Sequence, residues 1–237
     1  MELIFSGIFG LLAGVLVSVV SARLPESMMR DTANFIALAS GAECVHQPYP
    51  VLPAYALANL FPLAFRTVAI CVSCALLSVL AIAVFGVTSS GMAVVMFTLL
   101  LVTLVATDLE SHLLPDSVIY PLLWVGLVSN LDSAFASPQS AIVGAIAGYT
   151  ILWTLAASFK RVTKRDGMGN GDFKLLAALG AWHGHESLLW ILTAAIVPAV
   201  ALYVVFPSRR TTAFAFGPYL AVAGLAAFYL HPLTHSF

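Results

Sequence analysis

The sequence predicts an all-α, polytopic integral membrane protein, and three observations carry that reading. Hydrophobic residues make up 61% of the 237-residue chain and charged residues only 9%, whereas about a quarter of the residues in soluble domains are charged. The apolar stretches are long and continuous rather than alternating, which favours helices over barrel strands. Lipid offers no partner to backbone N–H and C=O groups, so segments of this composition must satisfy them internally, as a helix does.

About 20 apolar residues, at 1.5 Å of rise each, cross the hydrocarbon core. The first such segment is 3–21. No positive residue precedes it, it is longer than a signal-peptide core, and it lacks a convincing small-residue cleavage site, so it reads as a retained membrane helix. Residues 23–66 form the one long polar stretch, broken by Pro25, Pro48, Pro50, Pro53 and Pro62, which predicts a small irregular cytoplasmic subdomain rather than a further span. Membrane helices are then expected at 67–87, 91–107, 117–131, 140–159, 187–206 and 214–230. Residues 171–182 form a shorter apolar segment, about 18 Å long, that either crosses with local thinning or re-enters the membrane. The expected organisation is a first transmembrane helix (1–22), a cytoplasmic loop without a zinc site (23–66) and a membrane-embedded domain (67–237).

Charge bears on the short segment, because Lys and Arg gather in cytoplasmic loops. The ten basic residues are Arg23, Arg30, Arg66, Lys160, Arg161, Lys164, Arg165, Lys174, Arg209 and Arg210. With 171–182 crossing and the amino terminus outside, all of them fall on the cytoplasmic side; without it, Arg209 and Arg210 lie outside. The expected topology is therefore eight transmembrane helices, or seven if 171–182 does not cross. A net charge of −1 and the lack of a basic stripe with interleaved aromatics argue against a nucleic-acid partner. Membrane lipid is the expected surrounding, with Lys160, Arg161, Lys164 and Arg165 at anionic head groups. No internal repeat is visible, which weighs against transporters built from two related halves. Cys71 and Cys74 form a C-x-x-C inside an apolar run, two of the four ligands a structural zinc takes, and read as small hydrophobes; no metal is expected.

Acids at the edges of apolar runs are the informative residues, since an ionised carboxylate costs several kcal/mol within a bilayer. Glu2, Glu26, Asp31, Glu43, Asp132 and Glu186 lie in loops or at termini; Glu110, Asp116 and Asp166 also read as solvated, with Asp116 as a helix cap. Asp108 ends the run MAVVMFTLLLVTLVAT, and Asp172 opens FKLLAALGAW directly after a loop with Gly167, Gly169 and Gly171. The topology sets both at the cytoplasmic face, so they can converge although 64 residues apart. Two carboxylates that close cannot both ionise comfortably and share a proton. One then serves as base toward water, the other as acid toward a scissile carbonyl. Residue chemistry alone leaves open an ion- or proton-coupled site and simple helix caps.

Residues 167–182, GMGNGDFKLLAALGAW, closely resemble the G-x-G-D-x-K-L-x-A-x-x-G-x-W block of bacterial type IV prepilin peptidases. Residues 108–116, DLESHLLPD, resemble that family's D-L-x-x-x-x-L/I-P-D block, and 216–221, FGPYLA, are similar to its F-G-P-x-L-A block. Residues 15–25, VLVSVVSARLP, resemble more weakly its first helix ending in R-L-P. The resemblance implies a membrane aspartic endopeptidase that removes the basic leader of type IV prepilins or type II secretion pseudopilins, after a glycine, at the cytoplasmic face of the bacterial inner membrane. Asp108 then corresponds to the first catalytic aspartate and Asp172 to the second. Gly169 and Gly171 are expected to give the second aspartate its approach and the substrate backbone its room. Asp116 is assigned site support. Lys174, two positions beyond Asp172 and so on a different helical face, is a snorkelling anchor or a charge neighbour of the site. Many members carry two C-x-x-C pairs in the first cytoplasmic loop, where this chain has only Cys44. Many also methylate the new amino terminus with S-adenosylmethionine, an activity possible here, although 23–66 contains no familiar nucleotide-binding glycine loop. The competing readings are an ion- or proton-coupled transporter using the same acids and an inactive assembly factor of a pilus or secretion machine.

Overall fold

The computed structural model describes residues 1–40, 60–164, 168–205 and 215–230. The described residues are all-α: helices α1 (Glu2–Ser40), α2 (Leu60–Phe85), α3 (Ser89–Ser111), α4 (Asp116–Ser129), α5 (Pro138–Thr163), α6 (Asn170–His183), α7 (Leu188–Val205) and α8 (Gly217–Leu230), with a single 3-10 turn at Asn130–Asp132. Four of them contain segments long and apolar enough to cross a membrane, Glu2–Ala33, Phe65–Phe85, Ser89–Ser111 and Pro138–Thr163, while Leu188–Leu202 and Gly217–Leu230 are shorter apolar helices. The chain is a multi-pass membrane protein.

The irregular stretch expected after the first helix is in part helical. Helix α1 continues through Pro25 to Ser40, and α2 starts at Leu60 with Pro62 in its first turn. Proline's fixed φ suits a helix and costs nothing where the N–H would be unpaired, as at the start of α2. Around Pro25 the hydroxyls of Ser21 and Ser27 fold back to the carbonyls of Ser18 (3.2 Å) and Leu24 (2.8 Å). Pro48, Pro50, Pro53 and Cys44 lie outside the described residues, as do Arg165, Asp166, Gly167, Arg209 and Arg210.

Helices α1 and α2 pack closely through small residues, as membrane helices do when backbones must approach. A Cβ at Gly10 would stand 2.7 Å from the Ala75 Cα, and one at Gly14 2.6 Å from the Cys71 Cα. Cys71 and Cys74 are both buried at this contact. The main core is built around α6, whose Leu175, Leu176, Leu179 and Trp182 are wholly buried among α3, α4, α5 and α8. Trp182 donates its indole N–H to the Leu122 carbonyl at 2.7 Å. Its ring lies among those of Phe97, Phe135 and Phe228. Asn130 donates to the carbonyls of Ala181 (2.8 Å) and Trp182 (3.0 Å), groups that end α6 without an intrahelical partner.

Those contacts orient α6. Its last turn lies at the aromatic end of the bundle, beside the Asn130 turn, and its first turn lies at the other end, beside the last turn of α3. Fourteen residues, about 21 Å of helix, thus join the two ends.

Candidate active site

Asp108 lies in the last turn of α3. That turn is held by His112, whose left-handed backbone (φ 54°, ψ 32°) directs its N–H to the Asp108 carbonyl at 3.0 Å. Hydroxyls tighten the same turn: Ser111 donates to the Thr107 carbonyl at 2.7 Å and Thr107 to that of Thr103 at 3.1 Å. Asp172 is the third residue of α6, with Gly169 in the N-cap position. Its carboxylate accepts the Gly169 backbone N–H, and its own N–H donates to the Gly169 carbonyl at 3.3 Å. A third-position acid reaching back to the cap N–H is half of a capping box.

The two carboxylates are within electrostatic reach of each other. Both are buried, with 4% of Asp108 and 8% of Asp172 exposed. Asp108 faces the Gly217 backbone amide at the start of α8, and its Oδ2 is buried without a hydrogen-bond partner among the described residues. A buried carboxylate oxygen with spare lone pairs is available to bind a water or share a proton.

Glycines admit this approach. A Cβ at Gly217 would stand 2.6 Å from Asp108 Oδ2 and 3.3 Å from Leu114 Cδ1. One at Gly171 would stand 2.7 Å from Leu114 Cβ, so Leu114 is wedged between the starts of α6 and α8. At Gly169 the nearest atom is Asp172 Oδ2, 3.7 Å away, an ordinary contact. The three sequence blocks, distant along the chain, thus meet at one end of the bundle. Gly217 and Leu114 are contributions that residue-level reading misses: neither carries charge, and only their membership of the FGPYLA and DLESHLLPD blocks marks them.

Asp116 does not cap α4. Pro115 holds the cap position without a side-chain bond, and Asp116 instead receives Lys174 Nζ on both carboxylate oxygens at 2.7 Å. Lys174 also lies 5.6 Å from the centre of the Tyr120 ring. The lysine is thereby turned to α4 and holds the first turn of α6 against it. Glu110, expected as a solvated acid, is the partner of Arg66. The ion pair forms because both residues lie at the same end of the bundle, where α2 begins and α3 ends.

Among the described residues no group of three or more His, Cys, Asp or Glu side chains converges as a metal site would. S-adenosylmethionine needs polar partners for its ribose, amino-acid end and sulfonium charge. The pocket between α1, α3 and α4 is lined by Leu16, Val17, Val20, Leu100, Thr103 and Val118, an almost wholly apolar set. That pocket does not fit the group, and residues 41–59 lie outside the described residues.

The sequence profile of the type IV leader peptidase family matches residues 94–205. The chain is 34% identical over 264 residues to a prepilin leader peptidase/N-methyltransferase of Burkholderia pseudomallei, a match covering 97% of this chain and 85% of that one. It is 37% identical over 253 residues to a protein of the same name from Stutzerimonas stutzeri, covering 93% and 88%. A third, from Neisseria gonorrhoeae, is 44% identical over 131 residues, which are 55% of this chain and 46% of that relative. No solved structure matches the chain. With near-full-length relatives on one side and three blocks converging on two buried aspartates on the other, this chain belongs to the type IV leader peptidase family.

Proposed function

We propose that the chain is a prepilin leader peptidase of the membrane aspartic type in which Asp108 and Asp172 are the catalytic pair. The observation that carries this reading is the pairing of two buried carboxylates, from the end of α3 and the start of α6, with one oxygen left unpartnered among the described residues. One carboxylate takes a proton from water, whose oxygen bonds to the scissile carbonyl carbon while the other, protonated, gives its proton to the carbonyl oxygen. Collapse of the tetrahedral intermediate breaks the C–N bond and delivers a proton to the departing nitrogen. The leader leaves with a new carboxyl group and the mature chain with a new amine.

The substrate is a type IV prepilin or pseudopilin whose apolar segment lies in the membrane and whose basic leader reaches the aspartates from the cytoplasm. Eight crossings with an external amino terminus in the bacterial inner membrane account for α6 joining both ends of the bundle. They also bring Arg23, Arg66, Lys160, Arg161, Lys164 and Lys174 to the aspartate end. Acids at one end, rather than at the midplane, favour the peptidase over an ion-coupled transporter. Methyl transfer to the new amine is an activity that the names of the relatives carry, and its donor would need polar partners that the apolar pocket between α1, α3 and α4 does not supply.

Co-expression with a candidate prepilin tests the reading. The intact chain should shorten it, while Asp108→Asn and Asp172→Asn should remain in the membrane and leave it uncut. Wild-type cleavage by either variant would sink the two-aspartate mechanism, and the mass of the new amino terminus decides whether a methyl group is added.

A further inference from the structure

We infer that Arg66 and Glu110 are positioning residues for cleavage: their ion pair sets the rotation of α3 and so holds Asp108 against Asp172. The inference rests on the aspartate-pair reading and adds to it two residues that touch neither carboxylate.

All five N–H donors of the Arg66 guanidinium are used. Nε donates to Glu110 Oε1, Nη1 to the Ser18 carbonyl (2.9 Å) and the Ser18 hydroxyl (3.1 Å), and Nη2 to the Ser21 hydroxyl (2.7 Å) and Glu110 Oε2 (3.1 Å). The Ser18 hydroxyl is in turn 3.0 Å from that of Thr67. One side chain of α2 therefore ties α1 to the last turn of α3. Its planar fork matches a carboxylate on one edge while the remaining donors serve α1, a pattern lysine cannot reproduce.

Glu110 is two residues beyond Asp108 on the same helix. Two residues turn an α-helix by about 200°, so the two acids leave α3 on opposite sides, Glu110 toward α1 and α2, Asp108 toward α6 and α8. Last turns of helices open easily, and this one carries no basic residue of its own to complement the helix dipole. The ion pair grips it from the side away from the reaction. Releasing that grip lets α3 rotate or fray, and a displacement of about 1 Å at a catalytic group costs on the order of 100-fold in rate. Glu110 is 41% exposed, so its half of the pair contributes little to stability and the effect of Glu110→Gln is read in rate rather than in folding.

The test compares the purified full chain with Arg66→Met, Arg66→Lys, Glu110→Gln and Asp108→Asn, each measured on the folded, detergent-extracted fraction with a prepilin substrate. Arg66→Met and Glu110→Gln should lower kcat at least about tenfold with KM within about twofold of wild type. Arg66→Lys should recover little of the loss, because it restores charge but not the fork. Wild-type kcat in Arg66→Met or Glu110→Gln, an effect confined to KM, or full rescue by lysine would each overturn the inference. Glu110→Gln keeps the test open should Arg66→Met fail to fold, since it preserves size while removing the charge and one of the two acceptor oxygens. An active Asp108→Asn control would instead indict the aspartate-pair reading, so the two failures are told apart.

Discussion

At the scale of single residues, the site turns on what stands beside Asp108 Oδ2. Gly217 leaves room for that oxygen where a Cβ would come within 2.6 Å of it. The carboxylate can swing aside, so Gly217→Ala should fold, but with the oxygen we propose as reacting displaced; cleavage should fall by about 100-fold. Gly169→Ala, whose Cβ would meet nothing nearer than 3.7 Å, should cut within a few-fold of wild type. Rates for the two variants, measured side by side, check the ordering; equal rates would mean that the approach of α8 to Asp108 does not matter. Asp108 and Asp172 are legible in the sequence because an acid at the edge of an apolar run is conspicuous. Gly217 is not, since a glycine signals only through its neighbours in space, and Glu110 reads as a solvated acid because its partner Arg66 lies 44 residues away on another helix.

Elements are joined at this end by ion pairs rather than by apolar area alone. Lys174 and Asp116 tie the first turns of α6 and α4, with side chains 27% and 47% exposed. Pairs so exposed contribute at most about 1 kcal/mol. Asp116→Asn and Lys174→Met should each lower stability by no more than that, and the double variant should lose less than the sum of the two, the contact of Lys174 with Tyr120 being the part it does not share with Asp116. Thermal unfolding in detergent measures this cycle; additive losses would show that each residue has a separate partner. Helices themselves are legible where composition is uniform. The expected segments 91–107 and 140–159 lie inside α3 and α5, and the short segment 171–182 lies inside α6. Sequence reading fails at α1, where proline predicts the end of a helix that instead continues to Ser40. Proline removes one backbone donor, but its fixed φ is helical, so that loss does not by itself end the helix.

For the whole molecule, the aspartates and their ion pairs gather at one end and the rings of Phe85, Phe97, Phe135, Trp182 and Phe228 at the other. If α6 crosses, Lys164 and Glu186, both exposed on either side of it, face opposite compartments. In a chain with Cys44, Cys71 and Cys74 replaced by alanine, Glu186→Cys should react with a membrane-impermeant maleimide on spheroplasts, and Lys164→Cys only after permeabilisation. Reaction of both from the same side would make α6 re-entrant and leave seven crossings. Composition and the continuity of the apolar runs determined the all-helical membrane class, because lipid leaves the backbone only helices or a closed barrel, and barrel strands would alternate. Position along the apolar runs, with the family blocks, singled out Asp108 and Asp172. Only the tertiary structure decided which further groups surround them: Gly217 on one carboxylate, Lys174 turned to Asp116, and Arg66 bonded to the last turn of α3 from behind. Burial and helix period are written locally in the chain, whereas the partner of a charge or the neighbour of a glycine depends on which helices pack side by side.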